Sequence, residues 1–564
     1  MRAVSLGGAV GWFHPATKGR GVVFVGAYGY EDLCSRVTSH DLAEGLAEAG
    51  LPVLRLEPRG TGDAEDLPAT ADRVGAWTAD VIAAVDWLRG VAGVREVVLV
   101  GLRIGALIAI AAADAIGGVD HLVLLAPPAS GRAHRRELSI LARLVDDMGG
   151  GVLADGSIEI AGFRLDAQTL DRLAAIDPTA LASRPAPWVT LVGEVGSATL
   201  ARVAEALVAT GATVETMPFA GYSRMMCDPT ASEPARGMIA DLVPHLAAGA
   251  PDATTPPRPA PTQPISGDGW VEERMVFGGG LAGVLCLPGA PSPVRRAAIW
   301  LNSGRNPHIG WARQTVDLSR RLARSGVAVL RMDLAGIGDS PAQAHTPAAA
   351  LYHDVGRADV RAAIEELARR GLDRPWVIGA CSGAYQAFHA AIDDDRIGGI
   401  VLINQLCFVW DASYEAQLSA WMTARPDMFA AEAEQAERRG EGSGEPTLTR
   451  RLVEWARPIA RRGRDLIMRF AAALEGVRPG LVEARFRDLA KRGVAVSIVL
   501  AEGDRAVTEL ERHAGLGGHR IAGLPGLEIL RIADADHSLT PEAARRTLGD
   551  HLVARLGDRA DAGR

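Results

Sequence analysis

Residues 379–384 read GACSGA, directly after the apolar run Trp376-Val377-Ile378. When small residues lie two before and two after a nucleophile, between a buried strand and a helix, the central residue is forced into a strained conformation. Its side chain then stands above the sheet. Two registers fit GACSGA on size alone, one centred on Cys381 and one on Ser382. An internal copy separates them. GLRIGA, at 101–106, follows Val97-Val98-Leu99-Val100, and only a register centred on Arg103 places glycine on both sides. Transferred to GACSGA, it makes Cys381 the nucleophile and leaves the Ser382 N–H for an oxyanion. A lone cysteine is ordinarily a small buried hydrophobe; the turn argues for the reactive reading.

A thiol in this position needs a base and an acid that orients it. The late run SIVLAEGD ends at Asp504, and the next, LEILRIADADH, delivers His537 ahead of a terminal helix. The order is therefore nucleophile, acid, histidine, with Glu502, Asp534 and Asp536 as competing acids. A second oxyanion donor is expected in the loop after AAIWLNSG, near Ser303 or Gly304. His308, further along that loop, reads as an ordinary loop residue.

In the first half each of these places holds something else. Arg103 stands where the nucleophile would be, Tyr222 lies where a histidine is expected, and PWVTLVGEVG offers only Glu194. This half is expected to be catalytically dead. A cation over a helix N-terminus opposes the helix dipole, so Arg103 requires an anion: Glu194, Glu57, or a bound carboxylate or phosphate.

The elements that would position these residues occur twice in the same order, a duplication of domain size. The clearest match pairs LPVLRLEPRGTGD with VAVLRMDLAGIGD, aligning Arg55 with Arg331 and Asp63 with Asp339. Because Asp63 lies in the half without a nucleophile, both aspartates read as turn-stabilising. Continuous Val/Ile/Leu strands alternating with amphipathic helices predict two doubly wound, mostly parallel α/β domains in tandem. The expected boundaries are 1–247 for the first domain, 248–268 for a Pro-rich linker and 269–564 for the second domain. The second domain carries a helical insertion at about 407–492, read as a cap over a pocket, and the first a shorter one at about 128–186.

At 564 residues the chain is too long for one core, consistent with this division. A net charge of -8 with mixed signs gives no electrostatic footprint for nucleic acid. The five cysteines, at 34, 227, 286, 381 and 407, form no CxxC pair, and no signal peptide is apparent, so a reducing cytoplasm is expected. The apolar run near 106–113 falls well short of the roughly 20 residues a membrane helix needs.

With the elbow and the Cys381, Asp504, His537 order in place, the chain resembles the α/β-hydrolase fold superfamily over nearly all of both halves. More narrowly, GLRIGA with PRGTGD and GACSGA with LAGIGDSP look like the paired α/β hydrolases of exosortase, polysaccharide-export and natural-product loci, here fused. The resemblance implies acyl transfer or hydrolysis of esters, thioesters or amides with no metal or organic cofactor. Its substrate would be a small acyl compound, free or delivered by a carrier protein or coenzyme A. The cysteine elbow is similar to that of dienelactone hydrolases and of cysteine acyltransferases. The alternative is a non-catalytic docking protein built from two degenerate hydrolase domains. The oligomeric state is left open.

Overall fold

The computed structural model describes the chain except residues 118, 145–149, 228, 230, 254–262, 292–293, 295, 343–349, 353, 411–413, 415–479 and 558–564. In the first half β1 (Arg2–Leu6), β2 (Ala9–His14), β3 (Arg20–Val25), β4 (Val53–Glu57), β5 (Glu96–Leu102) and β6 (His121–Leu125) are followed by a small antiparallel sheet. That sheet is β7 (Gly150–Val152), β8 (Ile158–Ile160) and β9 (Phe163–Leu165), and lies within the expected 128–186 insertion. The main sheet resumes with β10 (Trp188–Gly193) and β11 (Thr213–Pro218) and runs β1-β2-β4-β3-β5-β6-β10-β11.

The second half contains β12 (Ile265–Gly267), β13 (Trp270–Phe277), β14 (Leu281–Pro288), β15 (Arg296–Trp300), β16 (Val327–Met332), β17 (Trp376–Ala380), β18 (Gly399–Ile403), β19 (Ala495–Ala501) and β20 (Leu527–Ile532). Its order is β12-β13-β14-β16-β15-β17-β18-β19-β20. From β13 on it repeats the first sheet strand for strand. In both sheets the opening hairpin is antiparallel and the strands beyond it are parallel. Each sheet is covered on both faces by separate apolar clusters, as continuous apolar strands require. The duplication read in the sequence is the architecture of the molecule.

Two boundaries differ in detail. The last residues assigned to the linker form β12, an edge strand paired with β13. The cap expected at 407–492 lies mostly outside the described residues, and its last stretch belongs to the framework. The helix Leu481–Lys491 buries Val482, Phe486 and Leu489, with Phe486 4.9 Å from Phe388 of the helix that follows Cys381. Its apolar residues at i, i+4 and i+7 make one face, and that face packs on the sheet.

The halves meet through their hairpins and through the two GxGD turns. Asp63 and Asp339 do not simply stabilise their own turns: each carboxylate enters the other half. Asp63 accepts from Arg331 Nη1 at 2.5 Å, and Asp339 accepts from Arg55 Nη1 at 2.7 Å. Within each turn the backbone N–H of the aspartate is held at 2.9 Å by the acid six residues earlier, Glu57 or Asp333. A cation then bridges that acid to the incoming aspartate: Arg36 joins Glu57 and Asp339, and His308 joins Asp333 and Asp63. Full burial makes this exchange obligatory, since an unpaired buried charge costs several kcal/mol. Among the described residues no helix is long and apolar enough to cross a membrane.

Candidate active site

The two elbows are superimposable in conformation. Cys381 has φ 54° and ψ −116°, and Arg103 has φ 54° and ψ −117°, outside the region favoured by residues with a Cβ. Both N–H groups are tied to the end of the adjacent strand, Cys381 to Ile403 O at 2.9 Å and Arg103 to Leu125 O at 3.0 Å. The flanking glycines have a steric cause. A methyl at Gly379 would lie 2.1 Å from Gly383 O, and one at Gly383 would lie 2.3 Å from Asn302 O. Gly101 and Gly105 face equivalent approaches, from Gly105 O at 2.5 Å and Gly26 O at 2.3 Å.

Cys381 heads the helix Ser382–Asp393, whose N-terminal dipole favours a thiolate. Burial pushes its thiol up. The His537 charge outweighs this, with hydrogen bonds from His537, the Tyr352 phenol and the Ser382 N–H, and holds the thiol below its ordinary 9.0. His537 responds in the opposite sense: burial disfavours its charge, but Cys381 and Asp504 raise it well above 6.5. Each group of the pair favours the charged form of the other.

His537 Nδ1 is 2.9 Å from Asp504 Oδ2, while Asp504 Oδ1 caps the next helix by accepting from Ala506 N at 2.8 Å. One carboxylate thereby fixes both the ring and the strand end. The competing acids are elsewhere: Glu502 and Asp534 are exposed, and Asp536 holds Thr540. Cys381, His537 and Asp504 are brought together.

Gly304 does not occupy the expected place. Its N–H donates to Ser382 Oγ at 3.0 Å, so it fastens the loop to the elbow helix instead of facing a substrate oxygen. Ser303 beside it is half-buried.

Arg103 is satisfied within the chain, but not by Glu194 or Glu57. Glu194 is exposed. Arg103 Nε pairs with Glu31 at 2.8 Å, Nη2 with Glu137 at 2.6 Å, and Nη1 donates to Ala126 O at 3.3 Å. The anion expected there is two side chains from elements that no local pattern connects to the elbow.

Two contributors went unread in the sequence. Asn404 is fully buried; its Nδ2 donates to His537 O at 2.8 Å and its Oδ1 accepts from Ala501 N at 2.8 Å, bracing the base's loop against β19. Tyr352 brings its hydroxyl to 4.0 Å from Cys381 Sγ while its ring stacks on Trp410 at 4.3 Å and 7°. An asparagine at the end of the apolar run Gly399–Ile403 was a usable signal; Tyr352 had none.

His308, Asp333 and Asp339 bring three ligand-type atoms within 4.8 Å of one another. Both His308 nitrogens lie 2.7 Å from carboxylates, and Asp339 is shared by Arg36 and Arg55. The cluster is neutralised by the chain's own cations. A separate cavity of about 320 Å³ opens between the halves, lined by residues including Tyr28, Trp77 and Phe163 of the first and Ile309 and Arg313 of the second, but not by Cys381.

Two family models match the chain. The "Alpha/beta hydrolase family" model covers residues 284–548, and the "Serine aminopeptidase, S33" model covers residues 18–214. Both halves are α/β-hydrolase domains. Solved structures similar to the chain include an α/β serine hydrolase homologue from Coxiella burnetii, with 12% identity over 51% of this chain and 97% of that one, at a TM-score of 0.30. A dienelactone hydrolase from Anabaena variabilis matches with 10% identity over 51% and 100%, at 0.31, and the esterase Pf2001 from Pyrococcus furiosus with 16% over 51% and 93%, at 0.31. No curated protein matches the chain. Of the two hydrolase domains, the second has the thiol, imidazole and carboxylate in register, and the first has the elbow without them.

Proposed function

We propose that the second hydrolase domain is a cysteine-dependent acyl-transfer enzyme. The observation that carries this reading is Cys381, held at an elbow with φ 54° and paired with a His537 that Asp504 orients at 2.9 Å. The Cys381 thiolate attacks the carbonyl carbon of an ester or thioester, and negative charge develops on the carbonyl oxygen. The Ser382 N–H and a donor from Ser303 receive that charge; losing one such donor typically costs about 10²–10³ in kcat. As the intermediate collapses, His537 gives its proton to the leaving alcohol or thiol, and a Cys381 thioester remains. His537, now neutral, takes a proton from water or from a hydroxyl or amine acceptor, which attacks the thioester and returns Cys381 as thiolate.

A thioester yields more readily to an amine or hydroxyl than an oxygen ester does, which favours transfer over hydrolysis. The donor would be a small acyl compound, free or borne by coenzyme A or a carrier protein, in a reducing cytoplasm that keeps all five cysteines as thiols. The likeness of the two elbows to those of paired hydrolases supports a role in polysaccharide or natural-product biosynthesis.

Intact-protein mass spectrometry after incubation with activated acyl thioesters tests this. A single acyl adduct is expected, absent in Cys381→Ala, retained in Ser382→Ala and discharged by the true acceptor. No adduct with any donor, or an adduct lost only in Ser382→Ala, would overturn the assignment.

A further inference from the structure

The loop between β15 and the helix Gln314–Arg324 supplies an oxyanion donor in the reading above, yet most of its crown is held from outside its own domain. His308 Nε2 donates to Asp63 Oδ2 at 2.7 Å, and Trp311 Nε1 donates to Ala161 O at 2.7 Å. Arg313 donates to Gly62 O at 2.7 Å, to Ala64 O at 2.8 Å and to Asp66 at 2.6 Å. All five acceptors belong to the first domain. The loop's own domain grips it at its base, where Asn302 Nδ2 donates to Asp333 and to Asn306 O, both at 2.8 Å, and the Gly304 N–H donates to Ser382 Oγ. Asp333 also meets His308.

The backbone of the crown requires that support. Ala312 and Arg313 have φ of 50° and 63°, a left-handed conformation that non-glycine residues keep only where their surroundings over-determine it. The next residue, Gln314, donates to Ser538 O at 3.1 Å, beside His537. The same loop thus touches the elbow at one end and the base's loop at the other.

We infer that the catalytically silent first domain is a built-in positioning module, which through Asp63, Ala161 and the Gly62–Asp66 turn sets the loop 303–313 for oxyanion binding at Cys381. This rests on the acyl-transfer reading for its chemical consequence, but the anchoring is independent of it. It gives a reason for the fusion: an elbow without a nucleophile is retained because its domain supplies acceptors to the other. Asp63 and Trp311 are positioning residues. The symmetric exchange, Asp339 onto Arg36 and Arg55, enters the first domain at the helix Tyr30–Glu48 and at β4, where no catalytic loop depends on it.

The test uses the full chain with Asp63→Asn and, as a milder change that keeps the ring in place, Trp311→Phe. Two reactions of Cys381 are compared: acylation by p-nitrophenyl acetate, which develops an oxyanion, and alkylation by iodoacetamide, which does not. Acylation should fall by roughly 10²-fold in Asp63→Asn and several-fold in Trp311→Phe, with alkylation changed less than about twofold. Hydrogen exchange should quicken in peptides covering 301–313 and stay unchanged over 376–388. Equal losses in both reactions, no loss in either, or unchanged exchange in the loop would overturn the inference. A wild type that is alkylated but acylated by no ester, with loop exchange still dependent on Asp63, would sink the acyl-transfer reading and leave the anchoring standing.

Discussion

Gly383→Ala and Gly105→Ala form a matched pair, because the two elbows share one steric problem and only one has chemistry. A methyl at Gly383 would stand 2.3 Å from the Asn302 carbonyl oxygen, and one at Gly105 would stand 2.3 Å from the carbonyl oxygens of both Gly26 and Val25. Ordinary contact needs about 3.4 Å or more, so in each case backbone must retreat by about 1 Å. Overpacking of this kind costs about 1–3 kcal/mol, offset by up to about 1 kcal/mol from the better helix propensity of alanine. Each variant should therefore lose about 0–3 kcal/mol of stability, read as the urea midpoint of the full chain. The consequences for activity differ. In the second domain the retreating backbone is Asn302, one residue before Ser303, and a 1 Å misplacement of catalytic groups costs about 10²-fold. Gly383→Ala should lower kcat for Cys381 acylation by about that factor, whereas Gly105→Ala should leave it near wild type. Full activity in Gly383→Ala, or an equal loss in Gly105→Ala, would refute the steric account of the elbow.

The ion pair sets the pH dependence of Cys381. With its thiol held below the ordinary 9.0, Cys381 should react with iodoacetamide at lower pH in the wild type than in His537→Ala, which loses the His537 charge and keeps only the Tyr352 and Ser382 hydrogen bonds against burial. An unchanged profile in His537→Ala would show that the pair does not exist. Acylation should fall on the acid side as Cys381 gains its proton, and on the alkaline side as His537, raised well above 6.5, loses the proton it must donate. Tyr352→Phe removes the hydroxyl 4.0 Å from Cys381 Sγ and keeps the ring stacked on Trp410. A hydrogen bond that long is worth about 1 kcal/mol, so the alkylation rate at neutral pH should fall roughly fivefold, with an upward shift of the thiol profile as its signature. Equal rates across pH would remove Tyr352 from the site.

Sequence by itself determined the order of elements, the two domains, the register of GACSGA and the Cys381, Asp504, His537 order. Each is written in short-range terms. Apolar runs of strand length mark buried parallel strands, and glycines two residues either side of one position mark where a strand and its helix nearly touch. Comparing the chain with itself then distinguished Cys381 from Ser382. The tertiary structure alone decided where charges separated by tens to hundreds of residues meet. Asp63 and Asp339 look like turn residues because each does sit in a tight turn, but two sheets packed hairpin to hairpin exchange them between halves. Arg103 needed an anion by helix electrostatics, yet that it is Glu31 and Glu137 follows from how the helices Tyr30–Glu48 and Gly131–Leu144 cross the elbow. Gly304 faces Ser382, and His308 faces Asp63, for the same reason. Local sequence specifies which group a position carries, whereas a hydrogen bond depends on atoms placed to within a few tenths of an ångström by everything packed around them.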